Sequence, residues 1–318
     1  FSWWRRGSGD LSTQLEGLER LAEIALDDVV VMTRQQNGIR FIRSFLRHYR
    51  GLGADCIIVI DERSDDGIRD YLATQPDVIM LTARTSFAEA NRGNQWFNAV
   101  FAALPKGQRI VYVDNDEYLV FGDGRRSLAN LFDAMERRGM ERAATMMVDF
   151  YPPAPIGEAV FDGNDDAYPW SVAPLFDATG YTMIDGMRGM RVTGGVRRRL
   201  FGEDLYLSKY SVMFNPGRAI IDKSVHVPQP LTRNRGPVVG ALLHFKYFSD
   251  FIDDHRRVVE KGVHNKGGQT YRAVLDQLEG VDVATEFDFS GDCTLRYSGP
   301  DQLCALGVIT DIVNDSAH

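Results

Sequence analysis

From Val29 to Val113 the chain alternates between short, nearly continuous apolar runs and stretches whose apolar residues recur at helical spacing. Val29 to Met32, Cys56 to Ile60, Val78 to Leu81 and Arg109 to Val113 read as strands, and Ile39 to Tyr49, Gly67 to Thr74 and Glu89 to Ala103 as the helices between them. Strands apolar on both faces, joined by amphipathic helices, predict an α/β fold with a doubly wound, mostly parallel sheet. Ahead of this unit, Leu11, Leu15, Leu18, Leu21, Ala22 and Ala25 predict an N-terminal helix over Leu11 to Leu26. Downstream, Ser127 caps a predicted helix ending at Arg138, and Ala143 to Val148 reads as a strand running into Asp149. Tyr151 to Phe201 is rich in Pro, Gly, Asp and aromatic residues, which predicts long loops of the kind that hold substrate. Leu207 to Phe214 and Ala241 to Lys246 then read as strands, and Ser249 to Lys261 and Thr270 to Leu278 as helices. Beyond Gly280 the alternation is too weak to assign.

Composition narrows the function more than the fold. The 318 residues, 44% of them hydrophobic, can bury a substantial core. Lys plus Arg total 36 against 44 Asp plus Glu, and the net charge of -8 speaks against a nucleic-acid partner. An anionic ligand would need a local cluster of cations or a metal. Cys56, Cys293 and Cys304 are too scattered for a disulfide framework or a zinc site, so a reducing, cytoplasmic compartment is the simplest reading. No apolar run approaches the roughly 20 residues of a spanning helix. Trp3-Trp4 beside Arg5-Arg6 is the one stretch that could associate with a membrane surface.

Candidate chemistry gathers where strands end. Asp114-Asn115-Asp116-Glu117 follows the strand Ile110 to Val113, and residues two apart on extended backbone reach to the same side. Two hard oxygen donors so placed suit Mn2+ or Mg2+ with substrate phosphates, although Asp is also common in plain turns. Thr33-Arg34 and Asp61-Glu62 follow strands on the same edge, where doubly wound sheets bind ligands. His244 stands among Leu242, Leu243 and Phe245, so it is either a core residue or a third metal ligand. Lys246, two residues on and pointing the same way, favours the second, a cation beside an imidazole suiting a diphosphate-metal site. His226 is the alternative ligand. After Met32 the sequence Thr33-Arg34-Gln35-Gln36-Asn37-Gly38 carries neither a dinucleotide fingerprint nor a P-loop, which speaks against a dehydrogenase or P-loop kinase.

Seven landmarks in order give the chain a resemblance to the bacterial glycosyltransferase family 2-like group, in its branch with a VDxDEF-type motif. They are Thr33-Arg34-Gln35-Gln36-Asn37, the stretch Arg47 to Asp55, Asp61-Glu62-Arg63-Ser64-Asp65-Asp66-Gly67, and Val113-Asp114-Asn115-Asp116-Glu117-Tyr118. Phe150-Tyr151-Pro152, Gly194-Gly195-Val196-Arg197 and Leu242-Leu243-His244-Phe245-Lys246-Tyr247 follow. The resemblance implies a GT-A fold over residues 29–280, with a nucleotide half (29–120) and an acceptor half (121–280) between extensions at 1–28 and 281–318. It implies donor contacts from Thr33, Arg34, Asp61, Arg92, Asn94, Gln95, Asp114 and Lys246, and direct metal ligation by Asp116. For a catalytic base it offers Asp204, in Glu203-Asp204-Leu205, while Asp149 is an alternative from its place at a strand end; either could be a turn or capping residue instead.

Taken together these readings predict a Mn2+- or Mg2+-dependent, inverting glycosyltransferase. It would use a nucleoside-diphosphate sugar of the UDP type and a glycan or other hydroxyl acceptor. The alternatives are nucleotidyl transfer to sugar phosphates and a non-catalytic nucleotide-sugar or glycan-binding module.

Overall fold

The apolar runs become the strands of one long sheet. A computed structural model describes residues 10–164, 167–262 and 269–314. Its strands are β1 (Leu15–Glu16), β2 (Val29–Gln35), β3 (Cys56–Asp61), β4 (Val78–Ala83), β5 (Arg109–Tyr112), β6 (Glu117–Phe121) and β7 (Arg142–Tyr151). Then follow β8 (Leu175–Asp177), β9 (Tyr181–Gly186), β10 (Gly189–Gly194), β11 (Ser208–Phe214), β12 (Val238–Phe245) and β13 (Thr294–Arg296). The main sheet has the order β1-β4-β3-β2-β5-β11-β7-β12-β6, with β8 and β13 branching from β7. Strands β4, β3, β2 and β5 run parallel, as their two-sided burial requires. Antiparallel β11 then enters between β5 and β7, β12 returns parallel to β7, and antiparallel β6 closes the edge. The fold is α/β.

Helices cover both faces. On one, α1 (Ile39–Gly51) lays Phe41, Ile42, Phe45 and Leu46 on the sheet beside α4 (Leu128–Arg137), which Ser127 and Asn130 start with a reciprocal capping box. On the other, α3 (Asn94–Ala103) buries Trp96, Phe97, Val100 and Phe101 against Val30, Ile58 and Ile110. The short α2 (Ile68–Ala73) follows β3, and α5 (Gly195–Phe201) follows β10. The later helices are α6 (Phe251–Lys261), α7 (Gln269–Gln277), α8 (Val283–Glu286) and α9 (Pro300–Ala305).

Four stretches differ from the pattern reading. Leu11 to Leu26 is not a helix: Gly17, at φ +92°, breaks it into two 3-10 turns around β1, which pairs with β4. Its leucines satisfy helical spacing, yet Leu15 and Leu21 reach the core from the sheet edge. The helix expected from Glu89 starts at Asn94, because Asn91, Arg92 and Gly93 are all left-handed. Tyr151 to Phe201 is more than loop, holding β8, the β9–β10 hairpin and α5. The unassigned tail adds β13 to β8 and packs Leu303, Val308, Ile309 and Ile312 into the main core. Trp3-Trp4 and Arg5-Arg6 lie outside the described residues, and among those described no helix is long and apolar enough to cross a membrane.

Candidate active site

The polar strand ends meet at one cleft of about 1420 Å³. Its floor lies past β2, β3 and β5, where Arg34, Glu62 and Asp114 stand, and its far wall is the β9–β10 hairpin with Ser224, His226 and Gln229. The tetrad is a tight turn from β5 into β6. The Glu117 amide donates to the Asp114 carbonyl at 3.0 Å, and the Asp114 amide to Glu117 Oε2 at 2.8 Å. The turn is pressed onto the start of α1 at Gly38, where any Cβ would overlap the Asn115 amide. The Phe245 amide donates to the Asp116 carbonyl at 3.1 Å and ties the turn to β12.

Asp114 is surrounded by cations. Arg34 Nε is 3.4 Å from one carboxylate oxygen and Lys209 Nζ 3.5 Å from the other. Lys209, fully buried on β11, also donates to Glu117 Oε2 at 2.7 Å. Burial alone would push the Lys209 pKa down, but the charges of Asp114 and Glu117 hold it above its ordinary value. Burial likewise opposes ionisation of Asp114, and Lys209 and Arg34 overcome it, leaving its pKa well below the usual carboxylate range. Arg34 is itself fixed, its guanidinium over the rings of Phe87 and Phe97 and donating to the Arg92 carbonyl.

Asp116 faces a different group. Glu117, His244 and Asp149 are register partners across β6, β12 and β7, so their side chains share one face of the sheet. His244 Nδ1 donates to Asp149 Oδ1 at 2.6 Å, because an ionised carboxylate can only accept, and this bond turns Nε2 toward the cleft. Nε2 lies 3.6 Å from Asp116 Oδ2. Arg197 donates to the same Asp149 oxygen at 2.6 Å, and this shared acceptor brings its Nη2 to 3.1 Å from His244 Nδ1. Burial works against the Asp149 charge, but Arg197 and His244 outweigh it and lower its pKa well below the usual range. Arg197 reaches Asp149 because β10 turns into α5 through Gly194 and Gly195, both at positive φ; a Cβ at Gly194 would strike the Gly180 carbonyl.

The remaining sequence candidates divide between cleft and surroundings. Arg34, Arg92, Asp114, Asp116, His244, His226 and Lys246 line it. Lys246 Nζ is 3.5 Å from the Tyr271 hydroxyl. Thr33 and Asp61 are fully buried and do not line it; Thr33 Oγ1 has no hydrogen-bond partner among the described residues, and Asp61 is held by Gln35, Ser64 and Arg69. Gln95, on the first turn of α3, and Asp204, paired with Arg191 and Arg198 on the outer surface, do not line it either. His226 donates from Nδ1 to the Ser208 carbonyl at 2.9 Å; burial and the nearby Lys209 push its pKa down to about 4. Lys209 was not among the candidates. Its signal is a lysine inside the apolar strand pattern of Ser208 to Phe214, a position that demands a buried anion.

The donor set meets the needs of a divalent cation in part. Among the described residues no group of three or more His, Cys, Asp and Glu side chains could by itself hold a metal. Asp114 is occupied by Arg34 and Lys209. Asp116 with His244 Nε2 nevertheless offers one oxygen and one nitrogen donor on a shared opening, and His244 is backed by a carboxylate as metal-binding imidazoles usually are. Two protein ligands, with substrate oxygens and water for the rest, fit Mn2+ or Mg2+.

Comparison with known proteins gives no family. No family model matches the chain, and no curated protein matches it. Among solved structures, a 4-diphosphocytidyl-2C-methyl-D-erythritol synthase is 12% identical over 60% of this chain and 76% of its own, with a TM-score of 0.27. A mycobacterial protein is 17% identical over 46% of this chain and 47% of its own, with a TM-score of 0.25. Glucosyl-3-phosphoglycerate synthase from Mycobacterium tuberculosis, in complex with Mn2+, uridine-diphosphate and phosphoglyceric acid, is 17% identical over 49% of this chain and 52% of its own, with a TM-score of 0.24. The chain thus spans about half the length of the last two. Likeness at these TM-scores does not bear on the chemistry of the cleft.

Proposed function

We propose that this protein is a divalent-cation-dependent glycosyltransferase that passes a sugar from a nucleoside diphosphate to a hydroxyl acceptor with inversion. The observation that carries the reading is the open pair of Asp116 and His244 Nε2, 3.6 Å apart at the strand-end edge of an α/β sheet. Arg34, Arg92, Lys246 and Lys261 line the same cleft and supply the positive charge that a diphosphate needs. Held by Asp116 and His244, the cation would act as a Lewis acid that offsets charge gathering on the departing diphosphate.

The chain's own residues divide the remaining work. Asp114, kept ionised by Arg34 and Lys209, accepts hydrogen bonds from ribose or sugar hydroxyls. Gln36, Glu62 and Phe87 line the cleft beside β2 and β3 and receive the nucleoside, while buried Thr33 and Asp61 support the floor beneath. His226 takes the acceptor proton. Its Nδ1–H is committed to Ser208, which leaves Nε2 as the basic atom, and at about 4 its basicity equals that of a carboxylate. Asp149 accepts from both Arg197 and His244 on one oxygen and serves to orient His244. Nucleotidyl transfer fits less well, because the turn into α1 has one glycine, Gly38, crowded by Asn115 and Gln35, and no backbone cradle for a triphosphate.

The test is a thermal-shift and calorimetric screen of UDP, GDP, CDP and their sugars, with and without Mn2+. At a hundred times its Kd, a ligand that binds only the folded state stabilises it by about 2.7 kcal/mol. The expected result is stabilisation by one nucleoside diphosphate that requires Mn2+. No shift with any nucleotide, or the same shift without metal, overturns the reading.

A further inference from the structure

The hairpin side of the wall that faces the tetrad does not resemble a surface for a polyhydroxy ligand. Hydroxyl-rich acceptors are held by carboxylates, amides and stacked rings, each hydroxyl needing a partner once it leaves water. Here the hairpin side of the wall is formed by Ile184, Met187 and Met190 with Leu205, Tyr206 and Leu231, and the polar Ser224, His226 and Gln229 belong to the rest of the wall. Unbranched methionine side chains make such a surface apolar and adaptable. It also continues out of the cleft. Met187, at the hairpin tip, is 89% exposed and Ile184 53% exposed, with Met183 and Tyr206 exposed beside them. Apolar side chains clustered in water at the mouth of a site mark a surface that something covers.

The charge on this wall is equally particular. Arg188 directly follows Met187, lines the cleft, and has no carboxylate partner among the described residues. Arg191 lines it next to Arg188, and the single carboxylate of Asp204 is shared between Arg191 and Arg198 on the outer side. An apolar strip with surplus guanidinium in the turn at its outer end complements a membrane surface of hydrocarbon chains and anionic heads.

Resting on the transferase reading, we propose that the acceptor is a membrane lipid with an anionic head, met at the bilayer surface by the tip of the β9–β10 hairpin, with Met187 and Ile184 against the chains and Arg188 against the heads. In the transfer, the acceptor hydroxyl oxygen bonds to the anomeric carbon and the carbon–oxygen bond to the diphosphate breaks. The bonding pair leaves with the diphosphate, and the hydroxyl proton passes to His226. The hairpin touches the bilayer through Met187 and Ile184.

The experiment is vesicle flotation of the whole protein, without nucleotide, on phosphatidylcholine alone and on phosphatidylcholine with phosphatidylglycerol. The expected result is binding that favours the anionic vesicles. Ile184→Glu with Met187→Glu should lower it about tenfold or more by removing apolar insertion and adding charge. Arg188→Gln should lower it about fivefold and erase the preference for anionic lipid. Far-UV circular dichroism of these variants confirms that they fold. Absence of wild-type binding, or binding that neither variant changes, overturns the proposal, as does tight binding of a soluble short-chain alkyl phosphate with none to vesicles. Nucleotide binding with Mn2+ in lipid-free buffer is read separately, so a transferase that ignores vesicles is told apart from a lipid-binding protein that ignores nucleotide.

Discussion

Asp114 and Asp116 stand two residues apart on one turn, yet their surroundings are opposite. The Asp114 side is closed: Arg34 and buried Lys209 take its two oxygens, and Lys209 reaches on to Glu117. The Asp116 side is open, facing Nε2 of an imidazole that Asp149 and Arg197 hold in place, with Lys246 on the same cleft. One side supplies its own cations and the other calls for one. A pair of carboxylates in a sequence is therefore not a metal site by itself, because the charge already beside each decides what each can bind.

The closed side should show its cost when its cation is removed. Lys209→Met leaves buried Glu117 without its ion-pair partner and Asp114 with Arg34 alone, and stability should fall by about 3–5 kcal/mol in urea unfolding. Survival of the fold at wild-type stability would mean that Lys209 is not what closes this side. On the open side the effect should fall on ligand and not on fold. Asp116→Ala should weaken Mn2+ binding by more than about a hundredfold, beyond the loss expected from an outer partner, with the ligand-free melting temperature nearly unchanged. Calorimetry with Mn2+ alone reads this without relying on turnover.

Asp149→Asn tests the link between the two sides of His244. An amide can present its NH2 to Nδ1 and favour the wrong tautomer, so Mn2+ affinity should drop about 10–100-fold. Were Asp149 instead the proton acceptor in catalysis, kcat would fall while Mn2+ affinity stayed at the wild-type value.

The sequence exposed the parallel half of the fold more readily than the part that builds this site. Val29 to Met32, Cys56 to Ile60 and Arg109 to Val113 read as strands because burial on both faces makes them apolar throughout. The tetrad was visible for the same reason, as a polar break after such a run. Leu11 to Leu26 misled because four leucines fit one helical face while Gly17 and pairing with β4 set the backbone. His244 could be singled out in sequence, but its bond to Asp149 spans 95 residues and depends on the parallel register of β12 with β7, which local spacing does not encode. Lys209 was hidden similarly, since its partners come from the turn after β5 and the start of β6.

His226 lines the cleft near Lys209, and its response to acid should be smaller than the effects above. Folding holds it neutral, with a pKa lowered from 6.5 to about 4. Between these values the unfolded chain binds a proton that the folded chain refuses. The contribution is therefore complete above pH 6.5 and is lost as pH falls toward 4. His226→Gln should remove about 1 kcal/mol of the stability lost between pH 6.5 and 5.5, measured as the difference between wild-type and variant unfolding curves at the two pH values. Buried His48 and His255 are shifted the same way and should retain their share in the variant.

The smallest effect should come from the carboxylate that the family resemblance favours as base. Asp204 is about half exposed, bonded to Arg198 and near Arg191, and lies outside the cleft that Asp114, Asp116 and His244 share. Surface ion pairs of this kind contribute about 0–1 kcal/mol. Asp204→Ala should therefore leave stability within about 1 kcal/mol of wild type, and kcat within about twofold once an acceptor is in hand. It should also free Arg191 and Arg198, adding positive charge beside the hairpin and strengthening attachment to anionic vesicles by about fivefold. A fall in kcat of a hundredfold or more with donor binding intact would place the base on the hairpin side of the molecule, and would mean that α5 and the segment after it swing inward when donor and acceptor are bound.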